Sequence, residues 1–244
     1  MKVLLLIPAR MGSSRFPGKP LEKIKGVSMI RRVYLNSIKS NLITDTYVAT
    51  CDKVIFNHIK DIGGKVVMTS KKHERATDRC AEALLKIEKI KKKVYDIVLM
   101  IQGDEPMVNK NMINEVLSPF KKNKNIKVAN LIYKINNLKD LKNKNTIKVV
   151  KDLNNDAIYF SRTVIPVLNN QIENNYYKQV CLIPFKRSFL IDYIKMKPTK
   201  LEKAESIDML RIIEHGFKVR LIETNYFTHA VDNKKDIKIV EKYI

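Results

Sequence analysis

The chain is short of the residues that several protein classes depend on. It has three cysteines in 244 residues, Cys51, Cys80 and Cys181, an odd number, widely spaced and without a C-x-x-C pair. That pattern argues against both a disulfide framework and a zinc site. No apolar run approaches the roughly 18 to 20 residues of a membrane span. The N-terminus is wrong for a signal peptide, since Lys2 is followed by only a short apolar stretch before Pro8 and Arg10. The expected location is therefore the cytoplasm, with no membrane partner. Neither an internal repeat nor a linker rich in proline, glycine or serine divides the sequence, so one domain over 1–244 is expected. Acidic residues are also scarce, 25 against 47 Lys and Arg, for a formal net charge of +22. A nucleic-acid partner is the obvious reading of such an excess. The basic runs at 89–93, 121–125 and 137–145 are lysine-rich, the last two mixed with asparagine, without the interleaved aromatics on which single strands stack. We read them as solvated helix ends and loops, with no specific nucleic-acid partner.

What the chain does have is apolar content, 45% of residues, enough for a real core and too much for a disordered protein. Hydrophobic periodicity predicts strands at 2–7, 45–50, 65–68, 95–101, 127–135, 146–151, 178–183 and 218–223. It predicts helices near 27–40, 53–62, 76–92, 110–122, 136–143, 186–195, 202–215 and 233–243. Segments 2–7 and 95–101 are continuous apolar runs, as expected of central parallel strands covered on both faces. The fold class is thus α/β, a doubly wound and mostly parallel mixed sheet with antiparallel additions in the C-terminal half. The polar stretch 169–177 is expected to be a mobile loop.

The first strand empties into Ile7-Pro8-Ala9-Arg10-Met11-Gly12-Ser13-Ser14-Arg15-Phe16-Pro17-Gly18-Lys19-Pro20-Leu21. Arg10 and Arg15 offer planar charged forks and Lys19 a compact ammonium, which suits a polyanion. Gly12 and Gly18 let backbone N–H groups approach phosphate oxygens, and three prolines stiffen the loop. The string contains neither G-x-x-x-x-G-K-[ST] nor G-x-G-x-x-G, which speaks against a P-loop NTPase or a Rossmann dehydrogenase. No Ser–His–Asp or Cys–His constellation is present, and His58, His73, His215 and His229 read as isolated structural or surface residues. Ile101-Gln102-Gly103-Asp104-Glu105-Pro106 lies at the carboxyl end of strand 95–101, the edge where open α/β sheets bind ligands. A carboxylate there can hold Mg²⁺, or can cap the helix starting near Asn109.

These fifteen residues, 7–21, resemble the signature of the nucleotide-activating sugar transferases, specifically the cytidylyltransferases that make CMP-Kdo from 3-deoxy-manno-octulosonate (Kdo). The Q-G-D-E-P segment is similar to that family's second signature. The resemblance runs from Val3 to about Val240 and implies a nucleotide-diphospho-sugar transferase fold and a homodimer, with acceptor-binding and dimerisation elements at about 125–200. It assigns Ala9, Arg10, Arg15, Lys19, Arg79, Gln102 and Gly103 to CTP. It makes Asp104 a Mg²⁺ ligand and pairs it with Asp232, in Val231-Asp232-Asn233-Lys234-Lys235-Asp236, where the family reads V-D-T-P-E-D. Arg10, Lys19, Asp104 and Asp232 are then the catalytic set. Thr77-Asp78-Arg79 matches the end of S-G-T-D/E-R, but the Ser-Gly is Arg75-Ala76 here, and the aspartate of A-T-D is Cys51.

The resemblance likewise assigns Lys148 and Arg162, the latter in Ala157-Ile158-Tyr159-Phe160-Ser161-Arg162, to the acidic sugar. An arginine fork is the natural partner of its carboxylate. The match then breaks. Gln179 stands for the histidine of K-H-x-G-I-Y, and Met209 for the glutamine of L-E-x-x-E-x-L-E-Q-L-R. On the expected helix 202–215, Glu205 and Met209 share one face, so a position that would bond sugar hydroxyls is apolar. Two acceptors stay open: Kdo or a Kdo-like sugar acid for cell-surface polysaccharide, and a different anion such as another sugar acid, a phosphate or a phosphonate. A non-catalytic basic binding protein is a third reading, which intact Arg10, Lys19, Asp104 and Asp232 oppose.

Overall fold

A computed structural model describes residues 1–12, 16–168 and 176–244. Strand β1 (Val3–Ala9) is buried along its whole length. Parallel strands flank it: β4 (Asp45–Thr50) sets Thr46 beside Leu5, and β6 (Ile97–Ile101) sets Leu99 on the other side. β5 (Val66–Met68) extends the sheet in parallel, and β11 (Leu182–Lys186) closes the far edge antiparallel to β6, giving the order β11-β6-β1-β4-β5.

Alternation along β1 sends its side chains into two cores. Leu4 and Leu6 pack with α3 (Ala76–Lys91), α6 (Arg187–Tyr193) and α8 (Asp208–Glu214). Val3, Leu5 and Ile7 pack with α1 (Met29–Ser37), α2 (Lys53–Asp61) and α4 (Lys110–Lys122). Helices on both faces of a mostly parallel sheet make the doubly wound arrangement expected of this sequence.

The antiparallel additions form a second five-stranded ladder. Its order is β12 (Arg220–Thr224), β7 (Ala129–Lys134), β10 (Tyr177–Val180), β8 (Lys148–Lys151) and β9 (Ala157–Ser161), with only the β12–β7 pair parallel. It joins the first sheet where Val128 bridges Phe185. Of two short helices, α5 (Leu138–Lys142) lies between β7 and β8 in sequence, and α9 (Lys234–Val240) follows β12. Among the described residues no helix is long and apolar enough to cross a membrane.

Four local differences from the sequence expectation matter. A hairpin of β2 (Lys23–Ile24) and β3 (Val27–Ser28), turning at Lys25 and Gly26 with φ of 45° and 78°, delays α1 to Met29. The strand β9 was not expected. The strand expected at 178–183 is divided at Cys181, and β11 runs on to Lys186, where α6 begins as expected.

Finally, the helix expected at 202–215 is two, α7 (Lys200–Glu205) and α8, separated by Ser206 in the left-handed region at φ 55°. Glu205 and Met209 therefore do not share a helical face, contrary to the sequence reading. An ion pair explains the break. Glu202 and Arg211 are nine residues apart, so one continuous helix would point them to opposite sides, roughly 13 Å apart along its axis. The break folds α8 back, and the Arg211 guanidinium donates two bonds of 2.7 and 2.6 Å to the buried Glu202 carboxylate.

Candidate active site

The carboxyl ends of β1 and β6 open on a cavity of about 350 Å³. Ala9, Arg10, Gly12 and Lys19 line it from the first loop, Gln102, Gly103 and Asp104 from the end of β6, and Arg75, Ala76 and Arg79 from the start of α3. Arg15 lies outside the described residues, as do residues 169–175 of the expected mobile loop. The Met11 N–H donates to Asp52 Oδ2 at 2.9 Å, and the Gly18 N–H to the Met11 carbonyl at 3.1 Å, which closes the loop on itself. Gly18 sits at φ 76°, a conformation that favours glycine. Gly103 eases a close approach, since a Cβ there would stand 3.3 Å from the Pro8 carbonyl oxygen, a tight contact. Arg79 is buried and donates to Thr69 Oγ1 at 2.5 Å, so it braces the cavity wall as well as lining it.

Lys19 Nζ donates to Asp104 Oδ2 at 2.6 Å, so a cation already faces this carboxylate. The Val231 N–H donates to the Asp104 carbonyl at 3.0 Å, which brings the Asp232 segment to the end of β6. Asp236 caps the turn by accepting from the N–H groups of Asp232 and Asn233, both at 2.8 Å. Burial pushes Asp236 upward, but hydrogen bonds from His229 and those two N–H groups outweigh it and hold its carboxyl below the ordinary range. Asp104 and Asp232 both line a second cavity, of about 170 Å³. Among the described residues no group of three or more His, Cys, Asp or Glu could hold an ion. Mg²⁺ does not require one, since it takes one or two carboxylates and completes its shell with water and substrate oxygens. Two hard oxygen donors, one of them already facing an ammonium, fit that ion.

Glu105, next to Asp104, was missed by sequence reasoning. It is buried and accepts from the Cys181 N–H at 3.0 Å and the Thr228 hydroxyl at 3.1 Å, tying the end of β6 to the break between β10 and β11. Burial, and then the Asp104 charge, push its carboxyl up to about 7 against those bonds. Its adjacency to Asp104 in Q-G-D-E-P was the available signal. Asp52, which accepts from the Met11 N–H, carries no such signal, because its partner is a backbone group 41 residues away.

The second cavity carries three of the residues assigned to the acceptor, Arg162, Gln179 and Met209, with Met100, Cys181 and Ile183. Arg162 Nε donates to the Glu205 carbonyl at 2.7 Å, and Gln179 Nε2 to Asn130 Oδ1 at 2.5 Å. Met209 is fully buried and makes an apolar wall. The other two assigned residues, Glu205 and Lys148, do not line this cavity. Glu205 accepts from Ser161 Oγ at 2.7 Å and the Arg162 N–H at 2.8 Å. Lys148 is buried and spends its ammonium on three carbonyls, those of Asn143, Thr146 and Arg162, at 2.9, 2.7 and 2.5 Å. Both position Arg162 and the cavity rim instead of lining the cavity. Two histidines also differ from expectation: His73 lines the first cavity and pairs with Glu82, and His229 lines the second. Gln102, Asp104, Ser206 and Asp208 line both cavities, so the two meet there.

A doubly wound sheet with a cationic loop after its first strand, and with two carboxylates where two cavities meet, defines a nucleotidyltransferase. The family described as cytidylyltransferase matches residues 4–227. The chain belongs to that family and, within it, to the CMP-Kdo synthetases. It is 43% identical to a 3-deoxy-manno-octulosonate cytidylyltransferase of Fusobacterium nucleatum, over 100% of this chain and 97% of the relative. A protein of the same name from Geobacter metallireducens is 38% identical over 99% and 98%. A solved structure described as CMP:2-keto-3-deoxy-manno-octonic acid synthetase complexed with CTP superposes with a TM-score of 0.89 at 34% identity, covering 99% of this chain and 98% of that one. The resemblance read from the motifs is thereby borne out.

Proposed function

We propose that the chain transfers CMP from CTP to Kdo with release of pyrophosphate, using Mg²⁺ held by Asp104 and Asp232. The observation that carries this is the meeting of the two cavities at Gln102 and Asp104, with Arg10 and Lys19 on one side and Arg162 on the other. The relatives' names and the CTP-bound neighbour support the substrates. In the reaction the acceptor hydroxyl oxygen bonds to the α-phosphorus and gives up its proton to solvent, while the bond to the bridging oxygen breaks and its electron pair leaves with pyrophosphate. Arg10 and Lys19 hold the triphosphate and stabilise the charge that grows on the departing pyrophosphate. Arg162 turns its fork to the sugar carboxylate, while Met209 and Ile183 exclude water from the acceptor side. When bound, Mg²⁺ neutralises phosphate charge and orients the α-phosphate.

The chain acts, on this reading, as a cytoplasmic homodimer. Leu153, Ile158, Val167 and Leu168, all exposed and all within 125–200, are the apolar residues that support a dimer contact there, and light scattering tests it by the mass in solution. The activity test is pyrophosphate release in the presence of Mg²⁺, with CTP, UTP, ATP and GTP each offered with Kdo, other sugar acids, phosphates and phosphonates. CTP with Kdo is expected to give the highest kcat/KM. Because the buried Met209 places an apolar wall in the acceptor cavity, preference for another anionic acceptor is the second reading, and a higher kcat/KM with one would replace Kdo.

A further inference from the structure

Two helices that begin near the site carry basic runs to the opposite end of the first sheet. α3 starts at Ala76 on the nucleotide cavity and runs 16 residues, about 24 Å, so that its last turn opens the run Lys89-Ile90-Lys91-Lys92-Lys93. α4 follows the end of β6 and closes on Lys121 and Lys122, with Lys124 just beyond. The corner where β11 gives way to α6 joins the two runs. There the Lys186 ammonium donates to the Lys124 carbonyl, and Arg187 pairs with Glu88 at 2.8 Å. Segments distant in the sequence thus make one basic face at the amino ends of β1 and β6.

Three carboxylates at this end are already engaged: Asp45 by Lys65 at 2.8 Å, Glu88 by Arg187, and Asp96 by the Lys2 N–H at 2.6 Å. Lys89, Lys91, Lys92, Lys121, Lys122 and Lys124 are all exposed. A helix C-terminus favours a lysine, but it gives no reason for Ile90 and Val94, which stand 71% and 61% exposed among these cations. An anionic bilayer takes both kinds of side chain, since lysines meet its headgroups while aliphatic groups enter the boundary beneath them. A nucleic acid would use the lysines and leave the aliphatics in water, and 89–94 and 121–124 hold no aromatic ring for a base to stack on.

We propose that this end of the first sheet is a docking face for an anionic phospholipid bilayer, held by the lysines of the two runs and by Ile90 and Val94. Such docking is peripheral and needs no spanning helix. It leaves the two cavities, at the carboxyl ends of the same strands, turned away from the lipid and open to substrates in solution. Docking by this face is independent of which substrates fill them.

The test is co-sedimentation of the full chain with vesicles of equimolar phosphatidylglycerol and phosphatidylcholine, and with vesicles of phosphatidylcholine alone. The parent is expected to sediment with the first and not the second, and to be released as salt rises. Lys89→Gln/Lys91→Gln and Lys121→Gln/Lys122→Gln should each weaken binding about 10- to 30-fold, at about 5-fold per lysine. Ile90→Ser/Val94→Ser should weaken it about 10-fold with no change of charge. Lys71→Gln/Lys72→Gln removes the same charge from exposed lysines at the carboxyl end of β5 and should stay within about 2-fold of the parent, being beyond the reach of a screened surface potential. Pyrophosphate release in solution by the Lys89, Lys121 and Ile90 pair variants should match the parent within about 2-fold, since none of these residues lines a cavity. A parent that fails to sediment, or sediments equally with both vesicles, overturns the proposal. So does an equal loss in Lys71→Gln/Lys72→Gln, which would make net charge the cause. Tighter binding to a short DNA duplex than to the vesicles, unaffected by Ile90→Ser/Val94→Ser, overturns it in favour of nucleic acid.

Discussion

Lys148→Met is the perturbation whose outcome the structure specifies most fully. The side chain is 0% exposed, and its ammonium donates to three carbonyls, two of which belong to the cavity-lining residues Asn143 and Thr146 and the third to Arg162. Two effects oppose each other. Burial, and then the nearby Arg162, lower the Lys148 pKa from 10.5 to about 8; at about 1.4 kcal/mol per tenfold change, keeping the charge costs about 3 kcal/mol near neutral pH. Methionine removes that cost. It also leaves three carbonyls without their donor, at about 1–3 kcal/mol each. The carbonyls win, and a net loss of about 3 kcal/mol at pH 7 is expected in urea unfolding. The pH dependence has a definite sign. The folded-state pKa lies below the unfolded one, so between about pH 8 and 10.5 the unfolded chain binds more protons and the parent gains stability as pH rises. The variant lacks that gain, so the gap between them must widen across this window. KM for the acceptor should rise about 10-fold as Asn143, Thr146 and Arg162 loosen, with KM for CTP unchanged. A gap that is constant or shrinks from pH 8 to 10, or an unchanged acceptor KM, refutes the reasoning.

Asp104→Asn should lower the rate of pyrophosphate release about 100- to 1000-fold, the scale of losing one preorganised electrostatic group, while circular dichroism reports an intact fold; a loss under 10-fold would remove Asp104 from the catalytic set. Arg162→Met should raise KM for the acceptor about 10- to 100-fold through one lost charge-assisted contact and leave CTP binding within about 2-fold, and equal effects on both substrates would contradict its placement. At Glu82, burial raises the pKa, but the Lys86 ammonium at 2.7 Å, the Ser70 N–H and His73 outweigh it and hold the carboxyl down at about 2. Its stabilisation is therefore present above pH 4.5 and lost as pH falls towards 2. After allowance for screening, Glu82→Gln should cost about 1–2 kcal/mol at pH 7, and a cost undiminished at pH 2.5 would show that the carboxylate charge is not its source.

The parts of the site that the sequence reveals are those whose physics is local. β1 and β6 are legible as central strands because each is a short continuous apolar run, which only burial on both faces accommodates. Arg10, Lys19 and Asp104 are legible because a strand's carboxyl end, a glycine and a charged group must be adjacent in the chain for the charge to reach the ligand edge of the sheet. The acceptor side fails these conditions. The break at Cys181 is held by Glu105, 76 residues away, and the break at Ser206 by a Glu202–Arg211 pair that a helical wheel would place on opposite faces. Lys148 resembles any lysine of a basic chain because its acceptors are backbone carbonyls, which carry no residue identity. Met209 is legible as an apolar residue of the acceptor region, but its place relative to Glu205 is not, because Ser206 at φ 55° separates α7 from α8. The two breaks lie on either side of the acceptor cavity, with Cys181, Ser206, Ile207 and Asp208 all in its lining. A break frees backbone and side chains to face a ligand from a direction that no regular element provides. The features that shape the acceptor cavity are therefore the ones that depend on long-range partners, and the nucleotide half of such a site is readable from motifs well before the acceptor half is.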